Sequence, residues 1–351
     1  MSWHQGFITS CPLQDFNSFI VHMHKKGASY DGKHFSNPVP TDVMEPGSFF
    51  RVMKKWFQSH PEINPRKMLG PFPFQKATHE LQHNGLNVTW LGHSTILMEI
   101  DGKRILTDPV WSKRASPFSH MGPKRYFDVP VSIEDLPPID LILLSHDHYD
   151  HLDKKTILKL TGKGVRVITM LGVGKRLLKW GVPSGLVTEM NWWDKHVIDG
   201  NIHITATPSR HFSGRWINDR FTTLWGAFAI KGPHHHVYYG ADSGYYEGFK
   251  EIGQLLGPFD LTMMEIGAYN EDWASVHMGP ENAVQAHIDV KGKVLMPIHW
   301  GTFPLAFHPW TEPAEMVIAA AQVNNVPLLM PAPGETIAYQ GGGYRNNWWN
   351  T

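Results

Sequence analysis

Leu141-Ile142-Leu143-Leu144-Ser145-His146-Asp147-His148-Tyr149-Asp150-His151 is the stretch on which the reading of this chain turns. Its first four residues form a short apolar run, as in a strand buried on both faces. The next string packs four candidate metal ligands, His146, His148, Asp150 and His151, into six residues at the point where that strand ends. Neutral imidazole and carboxylate suit zinc or another first-row divalent ion. Six residues cannot close a shell around an ion, so further ligands are expected from elsewhere. Three later segments repeat the setting of a short β-rich run followed by His or Asp: residues 201–210 before His211, 237–241 before Asp242, and 294–298 before His299. Loops at one edge of a sheet scaffold are where site residues gather. Seven ligands exceed one tetrahedral zinc and suit two divalent ions sharing a bridge. Zinc leads as the metal, and a set without thiolate leaves iron or manganese as alternatives.

A lone His after a strand is more often structural, and His203, His287 and His308 are read that way. His234-His235-His236, after Gly232-Pro233, reads as a solvated hairpin turn, and His93 and Trp300 as packing around the site. Asp108 ends the run Arg104-Ile105-Leu106-Thr107 at the same sheet edge. It is either a carboxylate that orients a metal-bound imidazole or an Asp that only starts an Asp-Pro turn.

The 351 residues are 42% hydrophobic and 18% charged, enough for one large core or two smaller ones. Lys plus Arg and Asp plus Glu both number 32, so no net field favours nucleic acid as a partner. The single cysteine, Cys11, excludes an internal disulfide and lies far from every motif. No apolar run reaches the length of a spanning helix, and the N-terminus lacks the features of a signal peptide. A cytoplasmic enzyme is expected, with peripheral attachment at the membrane as a variant of that expectation.

Residues 1–85 are rich in Pro, His and aromatics and read as an N-terminal extension wrapping the core; residues 86–351 read as the catalytic domain. Within the extension Phe49, Val52, Met53, Trp56 and Phe57 recur at helical spacing with Arg51, Lys54 and Lys55 between them. Such a helix packs its stripe on its own domain or lies on a membrane surface. Strands are expected at residues 86–91, 95–100, 104–107, 141–144, 165–169, 203–207, 224–230, 236–240, 261–265 and 294–298, with a tight turn at Asp101-Gly102. Helices are expected after a cap at Asp153, at 280–288 and at 313–323. This mixture implies an α/β (α+β) fold of two packed sheets with helices outside.

The string His146 to His151 resembles the signature of the metallo-β-lactamase superfamily. Thr89-Trp90-Leu91-Gly92-His93-Ser94-Thr95, Leu106-Thr107-Asp108-Pro109, Arg114-Ala115-Ser116-Pro117 and Met121-Gly122-Pro123-Lys124-Arg125 narrow the resemblance to the N-acylphosphatidylethanolamine-hydrolysing phospholipase D family. So do Leu136-Pro137-Pro138-Ile139-Asp140, Gly257-Pro258-Phe259-Asp260, Ile266-Gly267-Ala268-Tyr269 and Ile298-His299-Trp300-Gly301-Thr302-Phe303. The likeness runs over most of the chain. It implies a four-layer αββα sandwich. It also implies that His146, His148 and His211 hold one ion, that Asp150, His151 and His299 hold the other, and that Asp242 bridges them.

The activity so implied is metal-dependent phosphodiester hydrolysis of an N-acylated phospholipid, with a metal-bridging hydroxide as nucleophile. His277 matches a family position facing the site, where it donates to a phosphoryl oxygen or assists the leaving group. Asp147 departs from the Asn of the mammalian members and alters the charge beside the metals without being a ligand. Phe49, Phe50, Trp56, Phe57, Phe303, Phe307 and Trp310 either line a lipid groove or pack the core. Hydrolysis of lactones or other small esters or amides, and a non-catalytic metal-binding role, stay open beside this reading because one scaffold carries many chemistries.

Overall fold

The computed structural model describes residues 27–57, 62–75, 83–216 and 218–350. Strands β1 (Leu86–Gly92), β2 (Thr95–Ile100), β3 (Lys103–Thr107), β4 (Leu141–Leu144), β5 (Arg166–Met170) and β6 (Val187–Met190) lie side by side in chain order. Strands β7 (Lys195–Ile198), β8 (Ile202–Thr207), β9 (Ala227–Lys231), β10 (His236–Tyr239), β11 (Phe259–Glu265) and β12 (Gly292–Ile298) form the second sheet, also in chain order. A short pair, β13 (Leu329–Met330) with β15 (Tyr344–Arg345), stands apart, while β14 (Thr336–Ala338) closes the outer edge of β1. The helices are α1 (Phe49–Phe57), α2 (Lys154–Gly162), α3 (Val173–Trp180), α4 (Gly248–Leu255), α5 (Pro280–Asp289) and α6 (Glu312–Val323). None of the described helices is long and apolar enough to cross a membrane.

Both sheets are mixed. Antiparallel pairs join β1, β2 and β3, and parallel pairs join β3 to β6; in the second sheet β7 to β10 pair antiparallel and β10 to β12 parallel. Strand β4 shows why its run is apolar throughout. Leu141 and Leu143 enter the core between the sheets, whereas Ile142 and Leu144 enter the outer core with Ile157, Leu160, Val173 and Leu177 of α2 and α3. All four are at most 1% exposed, each worth about 1.5–3 kcal/mol of burial. The turn that follows β4 therefore starts from a fixed point. On the far side α5 packs on β11 and β12 and against α4 and α6. Helix, sheet, sheet and helix make the expected four layers.

Asp153 caps α2 as expected, accepting from Lys155 N, and Asp101 and Gly102 both take positive φ in the β2–β3 turn. Strands β6 and β7 and helices α3 and α4 fall outside the sequence expectation. The two strands are sheet edges whose polar, half-exposed residues hide the period of two. Helix α3 is only eight residues long and lies between Gly172 and Gly181, both left-handed. Helix α1 forms where expected, but Phe50 and Met53 are exposed while Arg51 and Lys55 reach the buried Asp272. The side chains of Phe49, Trp56 and Phe57, and Cys11 altogether, lie outside the described residues.

Candidate metal centre

Six strand ends meet at one edge of the sandwich. Asp108 follows β3, His146 follows β4 by two residues, His211 follows β8, Asp242 follows β10, Glu265 is the last residue of β11, and His299 follows β12. The backbone bends sharply there. Asp108 (φ 33°), Ala241 (48°) and His299 (61°) all adopt positive φ, a conformation that non-glycine residues hold only where surrounding structure imposes it. Gly267 is required by closeness alone: a Cβ there would lie 2.2 Å from the carbonyl oxygen of His299.

The structure brings all seven residues of the proposed set together. Nδ1 of His148 lies 2.8 Å from Nε2 of His146 and 3.2 Å from Nε2 of His211. On the other side Oδ2 of Asp150 is 3.6 Å from Nε2 of His151 and 3.4 Å from Nε2 of His299. Oδ2 of Asp242 stands between the two sets, 3.9, 3.6, 3.1 and 3.2 Å from Nε2 of His146, His211, His151 and His299. One carboxylate oxygen thus touches both halves of the cluster.

Neighbouring groups fix which ring nitrogen faces inward. Ser145 Oγ gives its one proton to Asp108 Oδ2 (2.5 Å), so His146 Nδ1 donates to that hydroxyl (2.9 Å) and keeps a lone pair on Nε2. His211 Nδ1 donates to the Val276 carbonyl (2.9 Å), and His151 Nδ1 donates to Asp108 Oδ2 (2.7 Å). Asp108 is fully buried and also accepts from Ser145 N and the Tyr239 hydroxyl. It therefore orients His151 as well as shaping a turn, the arrangement by which carboxylates steer imidazole ligands.

Electrostatics separate the halves. Burial keeps His146, His148 and His211 below the ordinary histidine value, His148 at about 4, so these rings are neutral near pH 7. Burial alone would raise Asp150 and Asp242, but His151 and His299 together, with His93 at Asp150, outweigh it and both carboxyls stay well below their usual range. Burial likewise opposes charge on His151 and His299, yet Asp242 and Asp150 hold both above the ordinary value, His299 at about 10. The buried Asp242 and the partly buried Asp150 thus hold positive charge at the centre, on His151 and His299 when no ion is there. Nε2 of His151, Nε2 of His299 and Oδ1 of Asp242 are buried without hydrogen-bond partners. The lone pairs of the three neutral rings, the ionised carboxylates and the orphaned inward atoms fit a divalent cation that would replace the protons of His151 and His299. His146, His148, His211 and Asp242 lie within 4.8 Å of one another through one ligand atom each.

Beside the cluster, His277 Nδ1 donates to Glu265 Oε2 (2.7 Å), while Glu265 Oε1 accepts from Ser243 N. The His277 ring lies 4.9 Å from that of His211 and 5.4 Å from that of His299. Glu265 was missed as a site residue, although a strand ending in an acid is the same signal that marks Asp242. His93 is a correction. It does more than pack, because its Nε2 donates to Asp150 Oδ2 (3.0 Å) and its ring lies 3.9 Å from that of His299. Trp300 does pack, stacked on Trp90.

Asp147 turns away from the cluster. Oδ1 accepts from Gly214 N (2.8 Å), and Oδ2 pairs with Arg176 (2.9 Å). The histidine turn is also less solvated than expected, since His235 Nδ1 donates to Asp101 Oδ1 and His236 begins β10. Of the groove aromatics, Phe303 packs on His93, Phe307 on Trp273 and Trp310 on Tyr126 and Trp348.

Comparison with known proteins identifies the family. The model of the beta-lactamase superfamily domain matches residues 103–300. An uncharacterized protein of Mycobacterium tuberculosis is 47% identical over 268 residues, 75% of this chain and 72% of its own. The N-acyl-phosphatidylethanolamine-hydrolyzing phospholipase D 1 of Caenorhabditis elegans is 35% identical over 314 residues, 85% of this chain and 87% of its own. Among solved structures, a metallo hydrolase of the archaeon Ignicoccus hospitalis superposes with a TM-score of 0.56 at 22% identity, covering 73% of this chain and 98% of that one. The chain belongs to the beta-lactamase superfamily, among its metal-dependent hydrolases, and within it resembles the N-acyl-phosphatidylethanolamine-hydrolyzing phospholipase D family.

Proposed function

We propose that this protein is a two-metal phosphodiesterase that cleaves N-acylphosphatidylethanolamine-type phospholipids in the manner of a phospholipase D. The observation that carries the reading is Asp242 Oδ2, within 3.1–3.9 Å of the inward nitrogens of His146, His151, His211 and His299. His146, His148 and His211 would hold one ion, Asp150, His151 and His299 the second, with Asp242 shared. Divalent ions bound there supply Lewis acidity toward a phosphoryl oxygen and a water acidic enough to act as nucleophile near neutral pH. The chain's own residues do the rest. Asp108 and His93 hold His151 and Asp150 in place, and Ser145 and the Val276 carbonyl set the tautomers of His146 and His211. Glu265 anchors Nδ1 of His277, which leaves Nε2 to hydrogen-bond the phosphoryl group or to protonate the departing alkoxide. The substrate assignment is supported by the 35% identity to the Caenorhabditis elegans enzyme over 85% of this chain.

The test is an assay of purified protein, supplied with zinc or manganese, on N-acylphosphatidylethanolamine in mixed micelles. Phosphatidic acid and N-acylethanolamine should appear together, and His148→Ala should abolish both. Fast turnover of a lactone with none of the lipid would replace the phosphodiesterase by a different hydrolase on the same centre. Intact hydrolysis in His148→Ala would remove the metal-centred reading itself.

A further inference from the structure

The turn from Asp147 to Leu152 carries three of the seven proposed ligands in irregular backbone, so something outside it must hold its carbonyls. His148 O accepts from the amides of both His151 (3.2 Å) and Leu152 (2.8 Å). The carbonyls of Asp147 and Leu152 find one side chain, Arg215, whose Nη1 lies 2.9 and 2.7 Å from them and 3.5 Å from His148 O. The same guanidinium sits over the ring of Tyr149, its central carbon 3.7 Å from the ring centroid, and 5.3 Å from that of Trp180. Arg215 thus grips four of the six residues of the turn.

Its own position is fixed in turn. Asp219 Oδ1 accepts from the amides of Arg215 (2.8 Å) and Trp216 (2.7 Å), and Asp219 Oδ2 pairs with Arg176 (3.0 Å). Arg176 also pairs with Asp147, and Asp147 accepts from Gly214 N, so the loop after His211 is locked to the turn at both ends. Two arginines and two aspartates cancel within this lattice. A flat guanidinium can span several carbonyls and lie on a ring at once; an ammonium cannot.

We propose that Arg215 is a positioning residue that sets ion affinity by holding the ligand-bearing turn against the loop of His211. The inference rests on the metal reading above and adds a residue outside the proposed ligand set. Groups that orient ligands typically change metal affinity or activity by about 10–100-fold when removed. Arg215→Met should therefore weaken zinc binding, measured by competition with a chromogenic chelator, by about 10-fold or more. Excess zinc should restore kcat toward the wild-type value, while the metal-free variant, though less stable for the carbonyls it leaves unpaired, should remain folded at the assay temperature. Arg215→Lys, which keeps charge and stem, should also bind more weakly, and it serves as the readout should Arg215→Met fail to fold. Wild-type zinc affinity in Arg215→Lys, or in a folded Arg215→Met, would overturn the inference and leave the metal reading standing. Wild-type protein that binds neither zinc nor manganese would overturn both.

Discussion

The two halves of the cluster share Asp242 and differ in what stands behind their imidazoles. His146 and His211 lean on neutral groups, the Ser145 hydroxyl and the Val276 carbonyl, and stay uncharged. His151 leans on the Asp108 carboxylate, Nδ1 of His299 lies 3.8 Å from Glu265 Oε2, and Asp150 adds a charge of its own. One half offers three neutral donors, the other two polarised imidazoles and an anion. A carboxylate behind an imidazole raises its basicity and its hold on a metal. If two ions bind as proposed, this asymmetry would make the Asp150, His151 and His299 position the tighter one once His151 and His299 give up their protons. The more exchangeable ion would then lie beside His148, whose neighbour Tyr149 is gripped by Arg215.

The largest effect should come from removing what the halves share. Asp242→Ala should lower kcat/KM by at least about 10³-fold, because Lewis-acid stabilisation is worth several kcal/mol and both positions lose a ligand. Asp108→Asn keeps every proposed ligand but can no longer receive the His151 proton as a carboxylate. It should weaken binding at the carboxylate-backed position by about 10–100-fold, read by chelator competition, and weaken the His146, His148 and His211 position less, since Asp108 reaches His146 only through Ser145. Equal weakening at both positions would break the comparison. Titration of wild-type protein with a chelator should then run in two phases, and His148→Ala should delete the weaker one.

The smallest effect concerns a buried histidine outside the centre. His287 bonds Thr262 Oγ1, and burial lowers it to about 4 from the ordinary 6.5. Because the folded protein disfavours its protonation, the resulting stability is complete above about pH 6.5 and is lost as pH falls toward 4. Metal-free wild type should lose more denaturation midpoint over that range than His287→Gln, a contrast that the metal ligands cannot produce.

The residues that carry charge or lone pairs at strand ends were legible because short apolar runs announce them. Leu141 to Leu144 alternates between two cores, so its burial pattern and its position follow from four letters. His211, Asp242 and His299 echo that setting and converge as the strand order requires. Glu265 sits at an identical strand end and could have been read the same way. His93 and Arg215 could not. His93 lies in the β1–β2 turn, 57 residues before Asp150, and Arg215 acts on carbonyls 63–68 positions away, so no local spacing announces either contact. Edge strands β6 and β7 escaped because half-exposed polar residues blur their alternation.

Metal content per chain after exhaustive dialysis, measured on wild type and His148→Ala side by side, tests the two-position centre most directly. About two equivalents in wild type and about one in the variant follow from a cluster divided around Asp242. A single equivalent in wild type, or two retained by His148→Ala, would contradict it.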